Sequence, residues 1–191
     1  MEIRALDRAE YAGRRFVARY TTRGYYDAVV EDFSIAFRYT PFEAEVRKSF
    51  ESGFFGDWLD HPVVLGAFEG DRLIGIAEGA PENWNRRYRS SNLCVFEAAD
   101  RGRGVGRALM EAILAEARRG GARMAVLETQ SCNEKAIAFY RRRGFRLIGC
   151  DLFSYSNDDP RRHEVRMEMG MMLDDRTRYG RPQASPVAGD G

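Results

Sequence analysis

Cysteine and lysine are both scarce in this chain, and each scarcity excludes something. Of 191 residues only three are cysteine, at positions 94, 132 and 150. They stand far apart and match no metal-ligand spacing, so no metal site is expected. An odd, scattered set makes no disulfide framework, which points to a reducing, cytoplasmic setting. Lysine occurs only at Lys48 and Lys135. Neither follows a glycine, so the G-x-x-x-x-G-K-[ST] phosphate loop is excluded. Excess charge is lacking too: the net value of +1 gives no general pull toward nucleic acid or a membrane surface. No apolar run approaches the roughly 18 residues of a membrane span, and the opening Met1-Glu2-Ile3-Arg4 lacks the apolar stretch of a secretory signal.

What is present is an ordinary globular composition, with 44% hydrophobic and 31% charged residues. This length fits a single domain, expected over residues 1–173. From Asp174 onward the chain is rich in Arg, Gly, Pro, Asp and Ser, and a disordered tail is expected over 174–191.

Hydrophobic periodicity orders the rest. Glu2 to Leu6 reads as a strand, and Asp7 as the cap of a helix running to about Tyr20, where Gly24 breaks the pattern. Phe33, Ile35, Phe37 and Tyr39 alternate with polar or small residues, as in a half-buried strand. Pro41 closes it, and a helix is predicted over Phe42 to Gly53. Val63 to Phe68 and Arg72 to Gly79 flank Gly70-Asp71, a hairpin signal. Further strands are predicted over Arg89 to Phe96, Arg123 to Glu128, Phe145 to Tyr155 and Arg166 to Met172. Helices are predicted over Arg107 to Arg119 and from an Asn133 cap to Arg143, with Ser156 to Arg162 as a loop. This order gives a mixed α/β fold, with a mostly antiparallel sheet and one central βαβ unit.

The βαβ crossover carries the strongest local signal, Arg101-Gly102-Arg103-Gly104-Val105-Gly106-Arg107. A glycine-rich turn feeding a helix start offers unpaired backbone N–H groups and a positive dipole end, a place for phosphate. The dinucleotide fingerprint G-x-G-x-x-G fails, because Arg107 stands at its third glycine. A basic RNA-binding segment would need interleaved aromatics and a longer charge run. What remains is R-x-x-G-x-G at Arg101, Gly104 and Gly106. A second block follows, with Leu127-Glu128, Asn133, Ala136, Phe139-Tyr140 and Gly144-Phe145.

Together these blocks resemble the GCN5-related N-acetyltransferase superfamily. Trp84-Asn85, Leu127 to Gln130 and Gly149-Cys150-Asp151 are similar to its streptothricin acetyltransferase branch. The resemblance is strong from about Val63 to Met172 and weaker over residues 1–62. There the strand at 33–40 departs from the family's common pair of helices, and the run from Val95 to Arg101 is one residue longer than usual.

The resemblance implies a mixed, mostly antiparallel sheet of six to seven strands with a splayed parallel pair, flanked by about four helices. It implies acetyl-coenzyme A as donor, with its pyrophosphate on the backbone of Gly102, Arg103, Gly104, Val105, Gly106 and Arg107 beside Arg101. The pantetheine arm would pair with the edge of Cys94, Val95 and Phe96. Asn133 would contact the arm, cap its helix, or both. Tyr140 would donate a proton to the departing thiolate. Glu128 would accept the amine's proton or bind a cationic substrate, with Glu82 and Glu78 as alternatives. Glu78, Glu82, Trp84, Asp151 and Tyr155 would surround a small-molecule amine acceptor, and Asp158 and Asp159 would form a rim. Direct attack of the amine is expected, without an acetylated Cys94. A homodimer is compatible with this reading. A non-catalytic acyl-coenzyme A sensor on the same fold is the competing class, but it has no need of both Tyr140 and Glu128.

Overall fold

The hairpin signalled by Gly70-Asp71 forms as read. β4 (Val63–Glu69) and β5 (Arg72–Glu82) pair antiparallel from Glu69↔Arg72 to Val63↔Gly79. They belong to a sheet of seven strands in a computed structural model that describes residues 1–173; the tail expected beyond lies outside the described residues. The spatial order is β1 (Glu2–Ala5), β4, β5, β6 (Arg87–Val95), β7 (Met124–Gln130), β9 (Arg166–Met172) and β8 (Arg146–Asp151). All neighbours run antiparallel except β6 and β7, which run parallel and enclose the predicted βαβ crossover.

That crossover is α2 (Val105–Arg119). Val105, Leu109, Ile113 and Ala117 recur every fourth residue and are buried on one stripe with Met110 and Leu114. The stripe packs on Leu65, Ile74, Ala77, Ala125 and Leu127 from the sheet. Each fully buried aliphatic side chain of this kind contributes roughly 1.5–3 kcal/mol. α3 (Glu134–Arg141) covers the same face through Ile137 and Tyr140, with Asn133 capping it as predicted. Two four-residue helices, α1 (Arg8–Tyr11) and α4 (Asp159–Arg162), complete the set. Asp7 does cap α1, but the predicted helix to Tyr20 stops after one turn, and a turn of helix replaces the loop expected at 156–162.

The larger corrections fall at residues 15–53. β2 (Arg15–Glu31) and β3 (Ser34–Gly53) form a separate antiparallel ribbon, where helices were predicted up to Tyr20 and from Phe42. The observed period is two: Phe16, Ala18, Tyr20 and Thr22 turn inward to differing degrees, and Ala18 and Thr22 are buried. Pro41 does not end the strand, because it sits opposite Gly24 at a shift in register, where a ladder hydrogen bond is dispensable. Gly24 is demanded there: a Cβ would lie 2.5 Å from the Thr40 carbonyl oxygen and the Tyr39 hydroxyl. The ribbon starts over the β4–β5–β6 face, where Phe16, Phe54, Phe55 and Phe68 form a second core cluster. It then crosses to the far side, where Tyr26 N–H donates to the Ser131 carbonyl.

Candidate functional site

β6 and β7 pair only over Arg87↔Met124 to Ser90↔Leu127. Beyond Ser90 the two strands part, while β6 stays bonded to β5 as far as Gly75↔Val95. A bulge opens the gap: Gly79 faces Ser90 and Glu78 faces Asn92, so Ser91 is the extra residue. Phe96 N–H donates to the Ile74 carbonyl, so alternation along the strand aims the Val95 N–H the other way, into the gap. The ribbon roofs this gap with Ala18, Arg19, Tyr20, Thr21 and Phe50, and the resulting cleft has a volume of about 780 Å³.

At one end of the cleft stands the glycine turn. Gly102 (φ 79°) and Gly104 (φ 87°) take the left-handed conformation that favours glycine, and a Cβ on either would meet no atom within 4 Å. The space over the turn is open. The first helical hydrogen bond of α2 is donated by Ala108 to the Gly104 carbonyl, leaving the N–H groups of Val105, Gly106 and Arg107 ahead of it. The arginine side chains of this stretch are all engaged with protein. Arg101 donates to the carbonyls of Val95, Phe96 and Arg19, tying β6 to the roof. Arg103 pairs with Asp100 and Glu69, and Arg107 with Glu111. The turn therefore presents backbone, not guanidinium, to an anion.

The extra residue before Arg101 has a structural explanation. Ala98–Asp100 form a single 3₁₀ turn, and the Asp100 side chain, 2% exposed, is gripped by Arg72 at 2.8 Å and Arg103 at 3.0 Å. Arg72 foremost holds the Asp100 carboxyl below the usual range. This buried anchor fixes where α2 begins.

In the middle of the cleft Tyr140 and Cys94 come together with Val95 and Asn133. Burial, with Cys94 adding to it, pushes the Tyr140 hydroxyl up to about 12. Burial likewise pushes the Cys94 thiol up to about 11. Both hold their protons at neutral pH. Asn133 Oδ1 accepts from Ala136 N–H at 3.4 Å, which is its capping role.

Farther along the cleft is Glu128. Tyr155 donates to its Oε1 at 3.4 Å, and Arg166 pairs with its Oε2 at 2.7 Å. Burial and the Glu128 charge push the Tyr155 hydroxyl upward. Among the described residues Glu128 is the cleft's one carboxylate. The other acidic candidates lie elsewhere. Glu78 is 1% exposed and accepts from Gly56 N–H, Ser91 and Asn92, so it holds the bulge together from beneath. Glu82 lines a different hollow and takes Arg89 at 2.6 Å. Asp151 is exposed and accepts from Phe153 N–H in a turn. Trp84 is 87% exposed and away from the cleft. Asp158 is exposed, and Asp159 is buried in the α4 cap, bonded by Ser156 and Tyr155 N–H.

Sequence reasoning missed the roof. Tyr20 donates to Gln130 Oε1 at 3.0 Å and lies 3.5 Å from Cys132 Sγ, clamping β2 over the end of β7. Burial raises its hydroxyl well above the ordinary range. The signal was the aromatic and β-branched run Tyr20, Thr21, Thr22, Tyr25 and Tyr26, which suits a strand better than a helix.

An open strand edge beside a helix start, with a phenol and a carboxylate in the same cleft, suits acyl transfer. Residues 25–145 match the Acetyltransferase (GNAT) family, and the chain belongs to it and is an acetyltransferase of that type. It is 33% identical over 146 residues to the streptothricin acetyltransferase of Streptomyces lavendulae, covering 71% of this chain and 76% of the relative. Its structure is similar to that of nourseothricin acetyltransferase, with a TM-score of 0.74, 27% identity, and 91% and 98% of the two chains covered. A Bacillus anthracis structure in complex with acetyl coenzyme A shares the fold at a TM-score of 0.65 and 20% identity, over 91% of this chain and 98% of that one.

Proposed function

We propose that this chain transfers an acetyl group from acetyl-coenzyme A to a primary amine of a small cationic molecule of the streptothricin type. The observation that carries the reading is the cleft itself. One exposed strand edge runs from an open glycine turn past a protonated phenol, and the only carboxylate among the cleft's described residues is Glu128. The donor fits the residues present. The turn's backbone N–H groups suit a pyrophosphate, and the Cys94 to Phe96 edge suits an extended amide-bearing arm. Acetyl-coenzyme A supplies the acetyl group as a thioester.

The chain's own residues then divide the work. The Val95 N–H, aimed into the gap, would donate to the thioester carbonyl oxygen as negative charge gathers on it. Tyr140 holds a proton on its hydroxyl and would deliver it to the departing sulfur. Glu128 accepts a proton from the incoming ammonium group, directly or through water, and its charge draws a cation into the cleft. Cys94 is a buried, protonated thiol and takes no part as nucleophile, so the amine attacks directly. Positioning between roof and sheet supplies much of the acceleration.

A β-lysine amine, as streptothricin carries, meets these requirements, and so do a polyamine, a lysine side chain or a peptide N-terminus. The test is acetyl-coenzyme A turnover measured over streptothricin, aminoglycosides, polyamines, lysine and N-terminal peptides. Streptothricin is expected to give the highest kcat/KM. Preference for a peptide would replace the acceptor, and coenzyme binding without turnover on any amine would favour the sensor class.

A further inference from the structure

The ribbon does more than roof the cleft. Past Tyr26 and Phe37, which pack on the main core, its outer part is exposed and forms an arm. Register puts Tyr26, Ala28 and Val30 of β2 on one face with Tyr39, Phe37 and Ile35 of β3. That face is apolar from root to tip. At its root Tyr26 and Phe37 are half-buried against the core, whereas Tyr39 is 49%, Val30 51% and Ile35 47% exposed. At the apex Asp32 takes a positive φ of 51° and Phe33 is fully exposed, where two-residue hairpin turns favour glycine or asparagine. Phe33 therefore serves no packing or turn requirement within its own chain. Beneath the root of the same face lies a groove of about 590 Å³, floored by Tyr26, Phe37, Ile137, Phe145 and Leu147, with Arg141 on its wall.

We propose that two copies of this chain exchange these arms. The exposed Val30–Ile35 pair and the groove-lining Tyr26 and Phe37 share one face of the arm, so a second copy related by a two-fold axis can lay its arm antiparallel against it. Each Phe33 then enters the other copy's groove, and the Val30 and Ile35 faces meet near the axis. Only a self-complementary pair closes in this way without leaving a surface free to propagate. Charge favours the same partner. The tip carries Glu31 and Asp32, the groove wall carries Arg141, all three are exposed, and among the described residues none of them enters an ion pair. An exposed apolar run bounded by charge is what an interface requires.

Sedimentation velocity of the full chain between about 1 and 100 µM tests this. The expected species is a dimer of twice the 21.8 kDa chain mass. Phe33→Asp, at a residue without intrachain contacts to lose, is expected to weaken dimerisation at least ~10-fold, with far-UV circular dichroism and Tm unchanged. Arg141→Glu and Asp32→Lys are each expected to weaken it ~3- to 10-fold, and the double variant to recover most of the loss. A chain that stays monomeric at about 100 µM overturns the proposal. So does a dimer indifferent to Phe33→Asp, or a double variant no better than the two singles. These readouts use no acetyl acceptor and stand apart from the substrate assignment.

Discussion

Arg166 Nη2 lies 2.7 Å from Glu128 Oε2 and 2.9 Å from Glu168 Oε1, so one guanidinium on β9 holds the cleft's carboxylate against its neighbour strand. Arg89 extends the chain of charges, pairing with Glu82 at 2.6 Å and lying 3.6 Å from Glu168. The cleft's carboxylate is thereby fixed in direction by a charge network that reaches three other strands.

Glu128→Gln keeps the shape and removes the charge, and kcat/KM for the amine is expected to fall about 10²- to 10³-fold. Arg166→Gln leaves the carboxylate in place but unheld, and a loss of about 10-fold is expected. Steady-state kinetics of both variants checks the order. A Glu82→Gln variant that matched Glu128→Gln would move the base to the other hollow.

Tyr140→Phe removes the hydroxyl proposed as proton donor and keeps the ring packed against Phe139 and Phe145. A fall in kcat of one to three orders of magnitude is expected, with about the same KM for the amine. The pH behaviour has a definite sign. The hydroxyl is pushed from 10.0 to about 12 in the folded chain, so below pH 10 both folded and unfolded chains keep the proton. As pH rises from 10 through 12 the unfolded chain releases it first, and folding stability is lost. Denaturant titrations across that window are expected to show a shallower loss in Tyr140→Phe.

Cys94→Ala is expected to retain most of kcat, because the proposed direct attack needs no acyl carrier. In the parent protein, iodoacetamide labelling of Cys94 is expected to stay slow at pH 8 and to accelerate only as pH nears the thiol value of about 11. A folded, coenzyme-binding Cys94→Ala protein without activity would sink direct attack.

Gly104→Ala forces a Cβ into a left-handed position at φ 87°. The space around it is open, so no clash opposes the change, and the conformational cost is about 1–2 kcal/mol. The expected functional result is a raised KM for acetyl-coenzyme A with little change in the KM of the amine. Isothermal titration with coenzyme A separates the two.

The legible parts of this protein are those whose signals are both local and redundant. The Val63 to Gly79 hairpin, the α2 stripe and the Asn133 cap each carry two agreeing cues. The helices predicted up to Tyr20 and over Phe42 to Gly53 failed because one cue was allowed to stand for the element. Asp7 is a true cap, yet the strand period of Phe16, Ala18, Tyr20 and Thr22 overrides it one turn later. In the Phe42 to Gly53 segment, residues such as Glu43, Glu45 and Lys48 suit a helix in isolation. Pairing with β2 and the Lys48–Glu164 contact at 2.6 Å decide otherwise. The acidic candidates were indistinguishable in sequence for a similar reason. Glu78, Glu82 and Glu128 differ only in what tertiary structure brings to them: three donors, an arginine in another hollow, or an open cleft.

The parting of β6 from β7 at Ser90 places a free sheet edge inside the molecule instead of at its rim. A free edge at a rim invites any extended polypeptide to add to it. Here β7 stands on one side and the ribbon overhead, so the edge is reachable only through a slot. What can zip onto it must be slender and must thread lengthwise, with its bulk left outside. The opening thus acts as a calliper, passing a slender chain and turning away the protein strands that would otherwise find an unpaired edge and aggregate on it.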